Sequence, residues 1–134
     1  MRAASPYVLP SLLVLIAVLT LACGSPSMGR GLQSVTISPT SAEGQMQFTA
    51  TGFFNVPPSP VTPLTVTWGA CYQNESTTEV SVSKTGFAQC GPGASGTYTV
   101  WGYGMSGAQA CPAYVTACGG GGCQVTGTAQ LTCP

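Results

Sequence analysis

The stretch QMQFTAT, residues 45–51, decides the fold class. Met46, Phe48 and Ala50 occupy alternate positions, and polar residues occupy most of the positions between them. Alternation with a period of two is typical of a strand that has one buried face and one solvated face. The stretch therefore predicts a β-strand that must bury its apolar side on a second layer.

The same alternation recurs along the chain between short turn signals. It is found in QSVTIS (33–38), LTVTW (64–68), EVSVS (79–83), GTYTVWGYG (96–104) and CQVTGTAQLTC (123–133). Pro- and Gly-containing turns separate these runs at 39–41, 57–60, 84–86 and 91–93. No stretch after residue 31 has a convincing helical period. The pattern predicts an all-β, antiparallel β-sandwich of six or seven short strands.

The first 31 residues have the layout of an export signal and a linker. A cationic start at Arg2 precedes an apolar stretch from Tyr7 to Ala22, and small residues follow. An uncleaved membrane anchor is the alternative, but the apolar run is shorter than the roughly 20 residues that a spanning helix needs. We expect a signal peptide at 1–22, a flexible tether at 23–31 and a single domain at 32–134.

Cys23 closes a motif that resembles the lipobox of bacterial lipoproteins. In Thr20-Leu21-Ala22-Cys23, the last two residues match, and Thr20 replaces the usual Leu. The resemblance implies cleavage before Cys23, acylation of its sulfur and a lipid anchor at the cell surface or in the periplasm. The alternative is ordinary cleavage after Ala22 or Gly24, which would leave a freely secreted chain.

Cysteine usage also points to export. Six cysteines remain after Cys23, at positions 71, 90, 111, 118, 123 and 133. An even number behind an export signal is typical of disulfides formed in an oxidising compartment. A zinc site is the alternative, but the chain has no His and lacks the paired short spacings of structural zinc sites. We therefore expect neither a metal nor another cofactor.

Five segments in series resemble the group 2 bacterial immunoglobulin-like domain. They are VTISP (35–39), QFTATG (47–52), VTW (66–68), VSVSKTGFA (80–88) and GTYTV (96–100). The resemblance covers residues 32–104 and the last strand. It implies an immunoglobulin-like β-sandwich of the kind found in surface adhesins and exported spacer domains. The cysteines and the insertion at 104–123 depart from that family, which weakens any function inferred by analogy.

The topology implied by this resemblance suggests how the cysteines pair. It sets Cys71 beside Cys90, and a hairpin across residues 119–122 sets Cys118 opposite Cys123. Cys111 and Cys133 then remain as the third pair, although strict register places Cys111 opposite residue 130 rather than 133. We expect a disulfide-stapled insertion before the last strand, with the pairs Cys71–Cys90, Cys118–Cys123 and Cys111–Cys133.

Residue types that carry catalysis are scarce. The chain has no His and no Asp, so the bases of the common nucleophilic triads are missing. Glu75 and Glu79 form the one candidate carboxylate pair for a small hydrolase, and solvated charges are the alternative. The mature chain has a net charge of about −1 and no basic patch to bind nucleic acid. These observations favour a non-catalytic module.

Trp101 and Tyr103 are the candidate ligand-contact residues. If Tyr98 and Val100 face the core, alternation turns these two rings to the opposite face of the same strand. Neighbouring exposed rings can stack on sugars or anchor a protein partner. The alternative is that the inserted segment covers them and forms a second small core. The sequence therefore favours a structural, adhesive or partner-binding role, with carbohydrate binding as the alternative.

Overall fold

The chain is folded into β-strands and turns. The computed structural model describes residues 29–105, 118 and 124–134. The strands in these residues are β1 Leu32–Ser38, β2 Ser41–Glu43, β3 Gln45–Gln47, β4 Thr49–Phe54, β5 Thr67–Tyr72, β6 Glu75–Ser76, β7 Val80–Val82, β8 Phe87–Cys90, β9 Gly96–Met105 and β10 Gln124–Cys133. Over the same residues, no helix is long and apolar enough to cross a membrane. The predicted all-β class is confirmed.

The strands form the two layers of a sandwich. One layer is a five-stranded sheet in the order β2-β10-β9-β5-β6. The other combines the β1-β4 pair with the sheet β3-β8-β7, and only Phe48 separates β3 from β4 along the chain. Pairing is antiparallel except that β2 runs parallel to β10. This is the strand order of an immunoglobulin-like sandwich, in which strands A, B, E and D face C, F and G. Here β1, β3–β4, β8 and β7 take the places of A, B, E and D, and β5, β9 and β10 take those of C, F and G. The short strands β2 and β6 lie at the two edges of the five-stranded sheet.

The core lies between the layers, where the predicted apolar faces meet. The larger cluster joins Phe48, Val80 and Ala88 of one layer to Tyr98, Val100 and Leu131 of the other. A smaller cluster contains Leu32, Val35 and Ala50, with Val66 and Trp68 packed against it. The removal of these side chains from water is the main force that holds the two layers together.

Two predicted strands differ in their extent. The stretch 45–51 is interrupted at Phe48, whose N–H donates a 2.9 Å hydrogen bond to the carbonyl of Gly86 instead of joining the ladder. The stretch 64–68 joins the five-stranded sheet only from Thr67, because the N–H of Leu64 bonds to Ala50 in the other layer. In both cases a contact between chain segments remote in sequence overrides the local alternation.

The sandwich has two distinct ends. At the tether end, β1 begins at Leu32 opposite Phe54 at the close of β4, and β9 ends at Met105. At the far end, β10 finishes at Cys133 and β8 at Cys90. The first described residues and the last therefore lie at opposite ends of the domain.

Two disulfides join described residues, and both differ from the predicted pairing. They are Cys71–Cys118 and Cys90–Cys133, with Cα separations of 5.9 and 5.8 Å. The predicted pairs that involve these four cysteines are therefore wrong, namely Cys71–Cys90, Cys118–Cys123 and Cys111–Cys133. Cys111 and Cys123 lie outside the described residues.

Strand alternation explains why Cys71 does not reach Cys90. Ala70 packs in the core between the layers, so its neighbour Cys71 points to the outer side of the five-stranded sheet. Cys90 belongs to β8 in the opposite layer, where it packs against the core beside Cys133. Two side chains on opposite sides of a sheet cannot meet the geometry that a disulfide requires.

Candidate functional site

The first candidate surface is the outer face of the five-stranded sheet, where Trp101 and Tyr103 lie. Tyr98 and Val100 are buried in the core, and the two aromatic rings, which are half-buried, project from the other side of β9. Their ring centroids are 5.5 Å apart, and their planes differ by 21°. The predicted outward orientation is therefore observed, and the rings are stacked on each other.

Gly69 provides the seat for the Trp101 ring. The two residues are opposite each other in the β5–β9 ladder. A Cβ atom at Gly69 would lie 2.2 Å from the indole, far inside van der Waals contact. The indole therefore lies directly against the backbone of β5. Sequence analysis did not identify this glycine, although an isolated glycine within a strand is a signal for close approach by another group.

Hydroxyl groups surround the aromatic pair. Thr67 and Thr126 lie opposite Tyr103, and Thr128 lies opposite Trp101. Strands β5, β9 and β10 contain no charged residue. The Nε1 atom of Trp101 is buried without a hydrogen-bond partner among the described residues. The surface thus combines aromatic rings with neutral hydroxyls, and the indole N–H of Trp101 is buried rather than presented at the surface.

The Cys71–Cys118 disulfide lies on the same outer face. Cys71 is opposite Thr99 in the ladder with β9, two positions along from the Gly69–Trp101 pair. Ser76 of β6 lies 3.6 Å from the Cys118 sulfur. The disulfide therefore attaches Cys118, from the chain between β9 and β10, beside the aromatic pair.

The second candidate surface is the tether end, where the first described residues are fixed to the domain. The N–H of Gly31 donates to the side-chain oxygen of Asn55 at 2.7 Å, and the N–H of Asn55 donates to the carbonyl of Gly31 at 3.1 Å. The side-chain Nδ2 of Asn55 also donates to the carbonyl of Gly29. Residues 29–31, predicted as part of a flexible tether, are thus hydrogen-bonded to the loop that follows β4.

Arg30 completes this attachment. Its guanidinium donates to the carbonyls of Val56 and Pro58, at 3.3 and 2.6 Å. Its Cζ atom also lies 3.7 Å from the centre of the Phe54 ring, which is a cation–π contact. We call the contacts of residues 29–31 with residues 54–58 the tether clamp. The clamp determines from which end of the sandwich the N-terminal segment leaves.

The third candidate surface is the far end of the sandwich, where β8 and β10 finish. A cleft of about 560 Å³ lies there, and its lining includes Glu43, Gln45, Gln89 and Ser95. Tyr98 lies close by, and its hydroxyl donates a 2.5 Å hydrogen bond to a carboxylate oxygen of Glu79. This hydrogen bond, burial of the phenol and the nearby negative charge together raise the pKa of Tyr98 above 10.0.

The glutamates proposed as a carboxylate pair have separate surroundings. Glu75 is exposed on the edge strand β6, and Glu79 is exposed before β7 but accepts the Tyr98 hydroxyl. Among the described residues, no three His, Cys, Asp or Glu side chains are grouped as metal ligands. Glu79 therefore acts within the fold as the hydrogen-bond acceptor of the Tyr98 hydroxyl.

Cys23, the predicted lipidation site, lies outside the described residues. No protein-family model matches the chain, and no curated protein is similar enough to be identified as its relative.

Proposed function

We propose that the protein is a non-catalytic, exported lipoprotein that presents one disulfide-stabilised, immunoglobulin-like domain at a bacterial cell surface or in the periplasm. The observation that carries the proposal is the pair of disulfides, of which one joins β8 to β10 and the other joins β5 to Cys118. Such bonds persist in oxidising compartments and are rare in the cytosol. The role assigned to the domain is structural, adhesive or partner-binding, as in the bacterial immunoglobulin-like domains that its sequence resembles.

The tether clamp supports the anchored form of this proposal. Arg30 and Gly31 are bound to the domain, and Cys23 is only six positions before Gly29 in the sequence. Six extended residues span at most about 20 Å. A lipid on Cys23 would therefore hold the domain close to the membrane surface, with the tether end nearest to it.

The intact mass of the protein exported by a bacterial host tests this function. We expect a chain that begins at acylated Cys23 and whose other cysteines resist alkylation until they are reduced. A Cys23→Ala variant is the control, because it lacks the acyl acceptor and should keep its leader. An unmodified start near residue 23 or 25 would contradict the anchor, and alkylation of Cys71 or Cys90 before reduction would contradict the disulfide framework.

Carbohydrate recognition is the second candidate function, and the stack of Trp101 on Tyr103 favours it. Sugars bind through the apolar faces of their rings to aromatic side chains and through their hydroxyls to neutral polar groups. The outer face offers both, with Thr67, Thr126 and Thr128 beside the rings.

A glycan-array comparison tests this second candidate. If the surface binds sugars, Trp101→Ala should abolish binding, whereas Phe87→Ala should leave it unchanged. Phe87 is a suitable control because it is an exposed aromatic residue in the opposite layer. Equal binding by wild type and Trp101→Ala, or no binding by either, would contradict the candidate.

A further inference from the structure

We infer that the tether end is a bilayer-contact surface, formed by Phe53, Val56 and Met105, which rests on the lipids that hold the anchor. We call these three residues the contact surface. The inference rests on the proposed lipid anchor and adds to it a defined orientation of the domain on the membrane.

The fold brings the three residues to one end of the sandwich, which Phe53 and Met105 flank from the outer faces of opposite layers. Phe53 is in the last part of β4, and Val56 follows in the loop that the tether clamp holds. Met105 ends β9, next to Gly104. A Cβ atom at Gly104 would lie 2.5 Å from a methyl group of Leu32, so the end of β9 lies against the start of β1.

Exposure of apolar side chains is concentrated at this end. Among the described residues, five large apolar side chains are exposed, and Phe53, Val56 and Met105 are three of them, at 39, 39 and 48 %. The neighbouring loop NVPPSPVTP, residues 55–63, contains no charged residue. Exposed apolar side chains beside a lipid attachment point strengthen membrane binding in proportion to the apolar area that they bury.

The charged residues are also distributed unevenly between the two ends of the sandwich. Arg30 lies at the tether end, in the clamp. The three glutamates lie towards the far end. In the strand ladders Glu43 is opposite Thr132 and Glu75 is opposite Tyr72. Glu79 accepts a hydrogen bond from Tyr98. Anionic lipids attract cationic residues and repel carboxylates, so this charge distribution favours contact through the tether end.

The tether clamp makes the orientation specific. A lipid chain on a long, unattached linker would leave the domain free to rotate. Here Gly29 is bonded to Asn55, next to Val56, and Cys23 is at most about 20 Å away. The anchor therefore holds the contact surface, and not the cleft at the far end, against the headgroups.

Quenching by brominated lipids tests the inference in the full acylated protein. Val56→Trp places a reporter in the contact surface, and Gln89→Trp places one on an exposed strand position near the far end. The variants are reconstituted in vesicles of phosphatidylethanolamine and phosphatidylglycerol, with and without bromine on the acyl chains. Bromine should reduce the emission of Val56→Trp relative to wild type and leave the added emission of Gln89→Trp unchanged.

A second substitution and a mass measurement complete the test. Phe53→Ser in the Val56→Trp background should weaken the quenching, because one apolar contact with the lipid is removed. The intact mass of each sample reports whether Cys23 is acylated. Acylated protein with equal quenching at both positions would overturn the contact surface and leave the anchor intact, whereas protein without a lipid would overturn both.

Discussion

At the scale of single residues, Tyr98 connects the core to a surface charge. The side chain is 1 % exposed, yet its hydroxyl bonds to the exposed carboxylate of Glu79. Ionisation of the phenol would lose this hydrogen bond and place a negative charge beside the carboxylate. The pKa of Tyr98 is raised in the fold for these reasons.

The raised pKa of Tyr98 predicts a loss of stability at alkaline pH. A group whose pKa is higher in the folded state contributes stability that is complete below its unfolded pKa of about 10 and is lost as the pH rises through the folded value. The urea midpoint of wild type should therefore fall above about pH 10, and that of Tyr98→Phe should fall less. Tyr103→Phe is the control, because Tyr103 lies on the outer face of the sheet, away from Glu79, and Phe keeps the ring that stacks on Trp101. Identical alkaline profiles for wild type and Tyr98→Phe would contradict the prediction.

Gly69 offers a second prediction at this scale. Gly69→Ala should displace the Trp101 ring, because the new methyl group would occupy the position of the indole. We expect a loss of about 1–3 kcal/mol in the free energy of unfolding and a changed near-ultraviolet circular dichroism spectrum. Gly29→Ala is the matched control, since a Cβ atom there would meet nothing within 4 Å. An unchanged spectrum in Gly69→Ala would show that the indole does not lie on β5.

At the scale of elements, the β5–β6 hairpin turns through two residues with positive φ, Gln73 at 50° and Asn74 at 68°. Two-residue hairpin loops with positive φ at both positions are type I′ turns, which prefer Asn followed by Gly. Asn74→Gly should therefore raise the free energy of unfolding by about 0.5 kcal/mol, and Asn74→Ala should lower it by about 1 kcal/mol. Urea denaturation of the two variants measures the difference, and the opposite order would contradict this description of the turn.

Alternation predicted which residues face the core, but not which strand segments pair. The apolar positions of 33–38 and 45–51 pack in the core as expected, because the side-chain period of a strand is a local property. The break at Phe48 could not be predicted, since it depends on Gly86, which is 38 residues away in sequence. Local periodicity carries no information about such a partner.

The cysteine pairs illustrate the same limit, although the sequence does contain one signal that bears on them. If Trp68 faces the core, then Cys71, three positions later, must face outward. That parity alone excludes a partner such as Cys90, which packs against the core. Its true partner lies in a segment without clear periodicity, so the position of Cys118 had to come from the structure. The outward orientation of Trp101 and Tyr103 was predictable, whereas their stacking and the role of Gly69 were not.

At the scale of the whole molecule, the two disulfides have different structural roles. Cys90–Cys133 connects the two layers at the far end, and both cysteines belong to or pack against the main core cluster. Cys71–Cys118 lies on the outer face of one layer. Their sequence separations are similar, at 43 and 47 residues, so the two bonds restrict the unfolded chain to a similar extent.

This similarity allows a prediction that separates loop closure from packing. Removal of either disulfide by paired substitution with Ala should cost about 4 kcal/mol through the greater entropy of the unfolded chain. The Cys90→Ala/Cys133→Ala protein should lose more than the Cys71→Ala/Cys118→Ala protein, because it also loses buried sulfur contacts between the layers. Urea unfolding of both proteins gives the two free energies, and the m-values should rise in both because the unfolded chains expand. Equal losses would mean that the inter-layer disulfide acts on the unfolded chain alone. A larger loss for Cys71→Ala/Cys118→Ala would instead show that the outer face contributes more packing than the junction between the layers.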